Sequence, residues 1–180
     1  MKRIFTALQL NSISRRLLYG CGSHMPGARA VPEEQLHLTL RFIGEVDGTT
    51  FLDLKDILGT VQARPVVISI KGVGHFPPRG KPKVLWAGVE PTAELLILRN
   101  KVNSALRRVG IEPEKRKFHP HITLARLNNS PLNRVGQFLT DNSLLEIPPF
   151  TVDTLTLYSS KLTHKGPIHN IEAQYQLLTE

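Results

Sequence analysis

The chain has 180 residues, of which 41% are hydrophobic and 21% charged, as expected for one compact domain or two lobes that share a core. Its single cysteine, Cys21, excludes an internal disulfide framework and suits a reducing compartment. No apolar run approaches the roughly 20 residues that a membrane helix needs, so a membrane protein of that kind is excluded. The formal net charge of +8 favours anionic partners.

The N-terminal stretch begins with Lys2 and Arg3, as a secretory signal would. Gln9 and Asn11 then interrupt the apolar part, which is too short and too polar for a secretory core. We therefore interpret this stretch as the first strand of a soluble, cytoplasmic protein.

Apolar spacing predicts six elements in the first half of the chain. They are a strand over 3–9, a helix over 12–19, a strand over 36–43, a helix over 49–58, and strands over 66–71 and 83–89. A loop over 20–32 precedes the second strand, and Thr49 or Thr50 is the expected cap of the second helix. A loop rich in glycine and proline joins the last two strands into a long hairpin.

The second half of the chain continues the mixed pattern. We expect a helix over 93–109 capped by Thr92, a strand over 121–126, a helix starting at Ser130-Pro131, and strands over 150–158 and 172–178. About seven strands and three or four helices, without a strict βαβ rhythm, indicate an α+β fold.

A short pattern, His-x-Thr-apolar, occurs twice. It reads HLTL at 37–40 and HITL at 121–124. In a strand, residues two apart share one face, so each copy presents an imidazole and a hydroxyl on one side and two aliphatic side chains on the other. The two copies lie nearly half the chain apart, which suggests two similar lobes related by approximate two-fold symmetry.

Paired imidazoles suit the cleavage of a phosphodiester, above all a strained cyclic one. One imidazole can activate water and the other can protonate the departing oxygen, because an unperturbed pKa near 6.5 permits either state at neutral pH. Thr39 and Thr123 could donate hydrogen bonds to the phosphate oxygens, together with a cation such as Arg126. This chemistry requires no metal.

A metal site is the alternative for the histidines. His119 and His121 form a His-x-His pair, but the segment around them offers only Glu112 and Glu114 as carboxylates, which disfavours that interpretation. The remaining histidines stand in polar or Gly/Pro-rich stretches, where we expect them to be solvated: His24, His75, His164 and His169.

The paired motifs, with the stretches around them, resemble the signature of the 2H phosphoesterase superfamily. More narrowly, they are similar to RNA 2′,3′-cyclic phosphodiesterases, historically called 2′-5′ RNA ligases. The supporting stretches are KRIF at 2–5, LHLTLRFIGEV at 36–46, GHFP at 74–77, VLWAGV at 84–89, FHPHITLAR at 118–126 and LYSS at 157–160.

This resemblance implies one domain over 1–180, made of two pseudo-symmetric lobes. Two antiparallel sheets would line a central groove, with helices packed outside. It also implies an enzyme that opens RNA 2′,3′-cyclic phosphate ends to 2′-phosphomonoesters without a cofactor or metal. Separately, we expect the protein to be a monomer. The reverse 2′-5′ ligation of RNA is a second reaction of the family.

The resemblance also implies roles for individual residues. His37 would be the proton donor and His121 the proton acceptor, although these labels could be exchanged. Thr39, Thr123 and Arg126 would hold the phosphate. Ala30 departs from the family, in which an aromatic residue commonly follows the arginine that corresponds to Arg29, so base stacking near this loop is in doubt. Phe42 and Phe76 are other candidates for stacking, but the pattern favours core positions for both.

Two other functions remain open at this point. The same scaffold could act on a small nucleotide cyclic phosphate or on a 2′-5′ oligonucleotide, and the loops over 20–32 and 72–83 would decide between these substrates. It could also be an RNA-end-binding module without catalysis, which would need the groove and its cations but no paired imidazoles.

Overall fold

The computed structural model describes residues 1–178, which form nine strands and four α-helices. The strands are β1 (Lys2–Gln9), β2 (Ala28–Ala30), β3 (His37–Val46), β4 (Val66–Phe76), β5 (Val84–Val89), β6 (His121–Leu127), β7 (Glu146–Val152), β8 (Thr154–Thr163) and β9 (Gly166–Gln176). The helices are α1 (Ser12–Leu18), α2 (Gly48–Leu58), α3 (Ala93–Arg108) and α4 (Leu132–Asp141). The α+β class expected from the sequence is confirmed.

The strands form one nine-stranded antiparallel sheet, in the order β7-β4-β5-β6-β3-β1-β8-β9, with β2 paired to β6. Two separate sheets were expected, and this differs from the structure. The reason is the contact between β3 and β6, where Leu38 pairs with Ile122 and joins the two halves. Read outward from that pair, each half contains one motif strand and three further strands, and the half with β6 also contains the short strand β2.

Helices α2 and α3 are amphipathic and pack against each other. Their buried residues, Phe51, Leu54, Leu58, Leu95, Leu98, Val102 and Leu106, belong to the same core as the aliphatic residues of both motif strands. Helix α3 begins as expected, because the Thr92 hydroxyl accepts a hydrogen bond from the backbone N–H of Leu95. In α2 the cap is instead Asp47, whose carboxylate accepts from the N–H of Thr50 at 2.8 Å. A carboxylate is a strong N-cap, and this one lies a residue ahead of the helix.

The two strands predicted last in the chain have different limits in the structure. The segment over 150–158 is two strands, β7 and β8, separated at Asp153, because the chain pairs first with β4 and then with β1. The last strand runs over Gly166–Gln176 rather than 172–178, since it pairs with β8 along its whole length. Residues 179–180 of the predicted domain lie outside the described chain.

Strand β4 also runs further than predicted and includes Gly72 and Gly74. A Cβ atom at Gly74 would lie 2.2 Å from the indole ring of Trp86, its partner on β5, so glycine makes room for that ring.

None of the helices in the described residues is long and apolar enough to cross a membrane.

Candidate active site

A cavity of about 550 Å³ opens on one face of the sheet, where its two halves meet. All five site residues predicted from the sequence line it: His37, Thr39, His121, Thr123 and Arg126. Its volume lies within the range of about 300–1,000 Å³ that is usual for small-molecule sites. The rest of the wall comes from β1, from the segment over 29–35, from Phe42 on β3 and from the β8–β9 hairpin.

The pairing of Leu38 with Ile122 sets the arrangement of the motifs. Continued by one residue in each direction, this antiparallel register sets His37 beside Thr123 and Thr39 beside His121. Residues opposite each other in such a pair have Cβ atoms about 4.5–5.5 Å apart, and diagonal neighbours lie about 7–8 Å apart. The two imidazoles are thus diagonal to each other, with a threonine beside each.

The first imidazole is held by two hydrogen bonds. Nδ1 of His37 lies 2.7 Å from the backbone carbonyl oxygen of Gln35, and Nε2 lies 3.0 Å from Oγ1 of Thr39. Because a carbonyl can only accept, Nδ1 carries a proton and donates. In the neutral ring the lone pair is therefore on Nε2, the nitrogen next to the Thr39 hydroxyl.

The second imidazole repeats this arrangement. Nδ1 of His121 lies 2.7 Å from the carbonyl oxygen of His119, again two residues earlier in the chain. The carbonyl fixes the same tautomer, so the lone pair of neutral His121 is also on Nε2. Two imidazoles from different strands thus line one cavity with Nε2 available for proton transfer.

Burial lowers the pKa of both histidines. For His37 the pKa falls from 6.5 to about 4: loss of solvent is the main cause, and the charges of His169, His121 and Arg126 add to it. The hydrogen bond to Gln35 acts in the opposite direction. The pKa of His121 is lowered by burial and by the charge of His119. Both rings are therefore held toward the neutral form before an anion enters the cavity.

Each imidazole packs against aromatic side chains. The ring of His37 lies 5.1 Å from that of Phe5, and the ring of His121 lies 4.8 Å from that of Phe76 in an edge-on contact. Phe76 is partly buried, and its contact with His121 helps to hold that ring in place. The core position expected for Phe42 is wrong: its side chain is 52% exposed and lines the cavity.

His169 was expected to be solvated, and the structure corrects this. It lies on β9 in the cavity wall, and its ring stands edge-on to that of His37 at 5.4 Å. Burial lowers its pKa, and so do the charges of Arg126 and Arg3. No local sequence pattern marked His169, because the pairing of β8 with β9 brings it to the site.

Three cations besides Arg126 line the cavity, Arg3, Arg29 and Lys165, and sequence analysis did not assign them to it. The lining residues include no aspartate or glutamate. A cavity with four cations and no carboxylate attracts anions.

The alternative metal site does not assemble in the described residues. Among residues 1–178, no group of three or more histidine, cysteine, aspartate or glutamate side chains could hold a metal ion. Glu114 lies 3.5 Å from the Arg41 guanidinium and 3.4 Å from that of Arg116. The Glu112 carbonyl also accepts a hydrogen bond from Arg41. Cys21 is half-buried, which raises the pKa of its thiol and disfavours a nucleophilic thiolate.

Comparison with known proteins agrees with this fold. The model of the 2′-5′ RNA ligase superfamily matches residues 15–163. A protein of Aeropyrum pernix named RNA 2′,3′-cyclic phosphodiesterase is 36% identical over 143 residues, covering 78% of this chain and 81% of that protein.

Two solved structures are similar over nearly the whole chain. The crystal structure of TT0787 of Thermus thermophilus has a TM-score of 0.78 and 27% identity, and the match covers 97% of each chain. That of E. coli LigT complexed with 3′-AMP has a TM-score of 0.75 and 26% identity, and the match covers 99% of each chain.

The α+β fold is that of the 2H phosphoesterase class. Within that class, the chain belongs to the 2′-5′ RNA ligase superfamily.

Proposed function

We propose that this protein hydrolyses RNA 2′,3′-cyclic phosphate ends to 2′-phosphomonoesters, with His37 and His121 as its acid–base pair and without a metal ion. One observation carries the proposal: the two imidazoles line one cavity, and each donates Nδ1–H to a backbone carbonyl at 2.7 Å. Relatives named RNA 2′,3′-cyclic phosphodiesterase support the choice of reaction.

The reaction is an in-line displacement at phosphorus. Nε2 of His121 takes a proton from water, and the resulting hydroxide attacks the phosphorus of the cyclic diester. The bond to the 3′ oxygen breaks, Nε2–H of His37 protonates that oxygen, and the phosphate stays on the 2′ oxygen. At the end His121 is protonated and His37 neutral, so exchange with solvent restores the starting state.

The threonines and Arg126 would stabilise the phosphate as it gains charge. Each threonine lies two residues after one histidine and opposite the other histidine in register. Thr39 and Thr123 thus flank the space between the two rings, where donors to non-bridging oxygens are most effective. The charge of Arg126 already lowers the pKa of His37, which indicates that its guanidinium is close to the reaction centre.

Substrate charge resolves a conflict between the acid role of His37 and its low pKa. A proton donor must be charged at the working pH, whereas His37 in the free protein has a pKa of about 4. An anionic phosphodiester beside the ring favours the imidazolium and offsets the charges of Arg126, His121 and His169. Binding of substrate therefore raises the pKa of His37, so that the ring is protonated before it donates its proton.

Apolar side chains at the cavity suit a nucleobase. Phe42, Leu162 and Ile168 are 52%, 66% and 47% exposed and all line the cavity, where a base could stack or pack. Ala30 also lines it, and its small side chain leaves the stacking role to Phe42 on β3.

The order of the strands also supports a proposal about the domain organisation of the protein. The strand order reads β6-β5-β4-β7 in one direction from the centre and β3-β1-β8-β9 in the other, which supports a single domain of two pseudo-symmetric lobes with the site between them. The five residues to which the proposal gives a role all lie on one chain, so we expect a monomer to be active. RNA ends and a single free cysteine suit action in the cytoplasm.

The experiment is an assay in EDTA on a short RNA with a 2′,3′-cyclic phosphate end. We expect a 2′-phosphate product, identified by chromatography against 2′- and 3′-phosphate standards. Loss of activity in EDTA that returns with added metal would overturn the metal-independent mechanism. Tight binding of the RNA without turnover would instead favour an RNA-end-binding module.

A further inference from the structure

A phosphate subsite next to the reaction centre is the inference that the cations of the cavity support. Four cations line the cavity, and a cyclic phosphate diester carries one negative charge. None of the four makes a salt bridge within residues 1–178, and the lining residues include no carboxylate. The cavity therefore has more positive charge than the reacting group needs.

Two of these cations, which carry the same charge, stand opposite each other on neighbouring strands. Arg29 on β2 lies directly opposite Arg126 on β6, so their Cβ atoms are about 4.5–5.5 Å apart. Like charges in such a pair destabilise the fold unless an anion compensates them. Arg126 acts on the pKa of His37 and of His169, so it belongs to the reaction centre, and Arg29 lies on the side of the short edge strand β2.

Arg29 reaches the turn between β8 and β9. Its Nη1 atom lies 3.4 Å from the position that a Cβ of Gly166 would occupy, and Gly166 has a φ of +114°. Lys165 precedes this glycine and also lines the cavity. The guanidinium of Arg29 thus lies at the hairpin turn, where Lys165 is the residue before Gly166. Arg126, and neither Arg29 nor Lys165, acts on the pKa of His37.

We propose that Arg29 and Lys165 form a subsite for a second phosphate, the one on the 5′ oxygen of the nucleoside that carries the cyclic phosphate. This rests on the proposed function, because the cyclic phosphate beside Arg126 sets the position of the nucleoside. In an RNA chain the second phosphate is the last internal phosphodiester. The subsite thus makes an RNA end, rather than a nucleoside cyclic phosphate, the preferred substrate.

The test compares three substrates: adenosine 2′,3′-cyclic phosphate, the same compound with a 5′-phosphate, and the dinucleotide ApA with a 2′,3′-cyclic end. We expect kcat/KM to be about tenfold higher for the second and third than for the first, as for a contact between charged groups. Raising the salt concentration should reduce this preference. Equal values for all three would overturn the subsite, while turnover of the first would leave the proposed function in place.

Two variants locate the subsite. Arg29→Gln and Lys165→Gln should each reduce the preference several-fold, with a much smaller effect on adenosine 2′,3′-cyclic phosphate. Lys161→Gln is the matched control, because Lys161 lies on the same hairpin, is exposed and does not line the cavity. A gain for ApA with no gain for the 5′-phosphorylated nucleoside would assign the preference to the extra nucleoside and overturn the proposal.

A binding measurement makes the test independent of turnover. By calorimetry, adenosine 3′,5′-bisphosphate should bind wild type about tenfold more tightly than 3′-AMP. This difference should be lost in Arg29→Gln and Lys165→Gln and kept in Lys161→Gln. Retained 3′-AMP binding and an unchanged melting temperature show that the variants are folded. Equal affinities in wild type would overturn the subsite even if no substrate is turned over.

Discussion

Leu38 on β3 pairs with Ile122 on β6, and within residues 1–178 this is the registered pair that joins the two halves of the sheet. Both side chains are fully buried, so apolar packing on the core face of the sheet fixes the register. A slip of one residue would turn the imidazoles and hydroxyls into the core. The geometry of the site is therefore a consequence of core packing at this junction.

A substitution at Gly74 tests whether the packing of Trp86 helps to position His121. Because a Cβ at this position would lie 2.2 Å from the ring of Trp86, Gly74→Ala must displace that ring. We expect a loss of about 1–3 kcal/mol in the free energy of unfolding, measured by urea denaturation. Activity should fall as well, since Trp86 packs against His119 at 4.9 Å and His121 at 6.3 Å.

Gly136 is the matched control for that substitution. It lies inside α4, and an added Cβ would meet no atom within 4 Å. Gly136→Ala should stabilise the protein by up to about 1 kcal/mol, because alanine is the better helix former. Equal stability changes for the two variants would contradict the packing argument.

The threonines are expected to act on the transition state. Thr39→Ala and Thr123→Ala should each lower kcat by roughly 10- to 1,000-fold with little change in KM, because each removes a donor to a phosphate oxygen that gains charge. The measurement is steady-state kinetics on the cyclic-phosphate RNA. Thr49→Ala, an exposed position in α2, serves as the control. A rise in KM with unchanged kcat would assign the hydroxyls to ground-state binding instead.

The protonation of His37 should depend on bound anion. In the free protein its pKa is about 4, below the unperturbed 6.5, so NMR should find a neutral ring at pH 6. Sulfate, whose charge is constant over this range, should raise the pKa of His37 and bind more tightly as the pH falls. A pKa that is unchanged or lowered by sulfate would contradict the proposed loading of the proton donor.

The same low pKa has a consequence for stability. Between pH 6.5 and about 4, the unfolded chain binds a proton at His37 that the folded protein does not. The free energy of unfolding should therefore fall as the pH is lowered through this range. His37→Gln should make this dependence shallower, which urea denaturation at several pH values would measure. An unchanged slope would show that His37 does not contribute to it.

Phe42 should recognise the nucleobase and not the phosphate. Phe42→Ala removes an exposed ring from the cavity, so we expect about 5- to 100-fold weaker binding of 3′-AMP, as for the loss of one stacked base. Binding of inorganic phosphate should not change. Calorimetry with both ligands measures this, and an equal loss for both would indicate damage to the phosphate site.

Local patterns predicted the parts of the site that lie on continuous strands. The alternation in 37–40 and 121–124 correctly predicted which side chains share a face, because that property depends only on the strand itself. The resemblance carried by these motifs pointed to Arg126. The paired hydrogen bonds to Gln35 and His119 had no sequence signal, since any residue supplies a carbonyl.

Long-range pairing explains what the sequence did not predict. His169 and Lys165 reach the cavity only because β9 folds back along β8, and no local pattern encodes that register. The expected core position of Phe42 was wrong for a similar reason. It follows the buried Leu40 and Arg41, but β3 bulges against β1 beside it, and the ring turns to the cavity.

The central claim is that His37 and His121 act together as acid and base, and kinetics of their alanine variants test it most directly. On an RNA with a 2′,3′-cyclic phosphate end, His37→Ala and His121→Ala should each lose roughly two to four orders of magnitude in kcat. The double variant should be little worse than the worse single variant, because the pair works as a unit. Retained 3′-AMP binding would confirm that the cavity is intact. Near-wild-type turnover by either single variant would contradict the account.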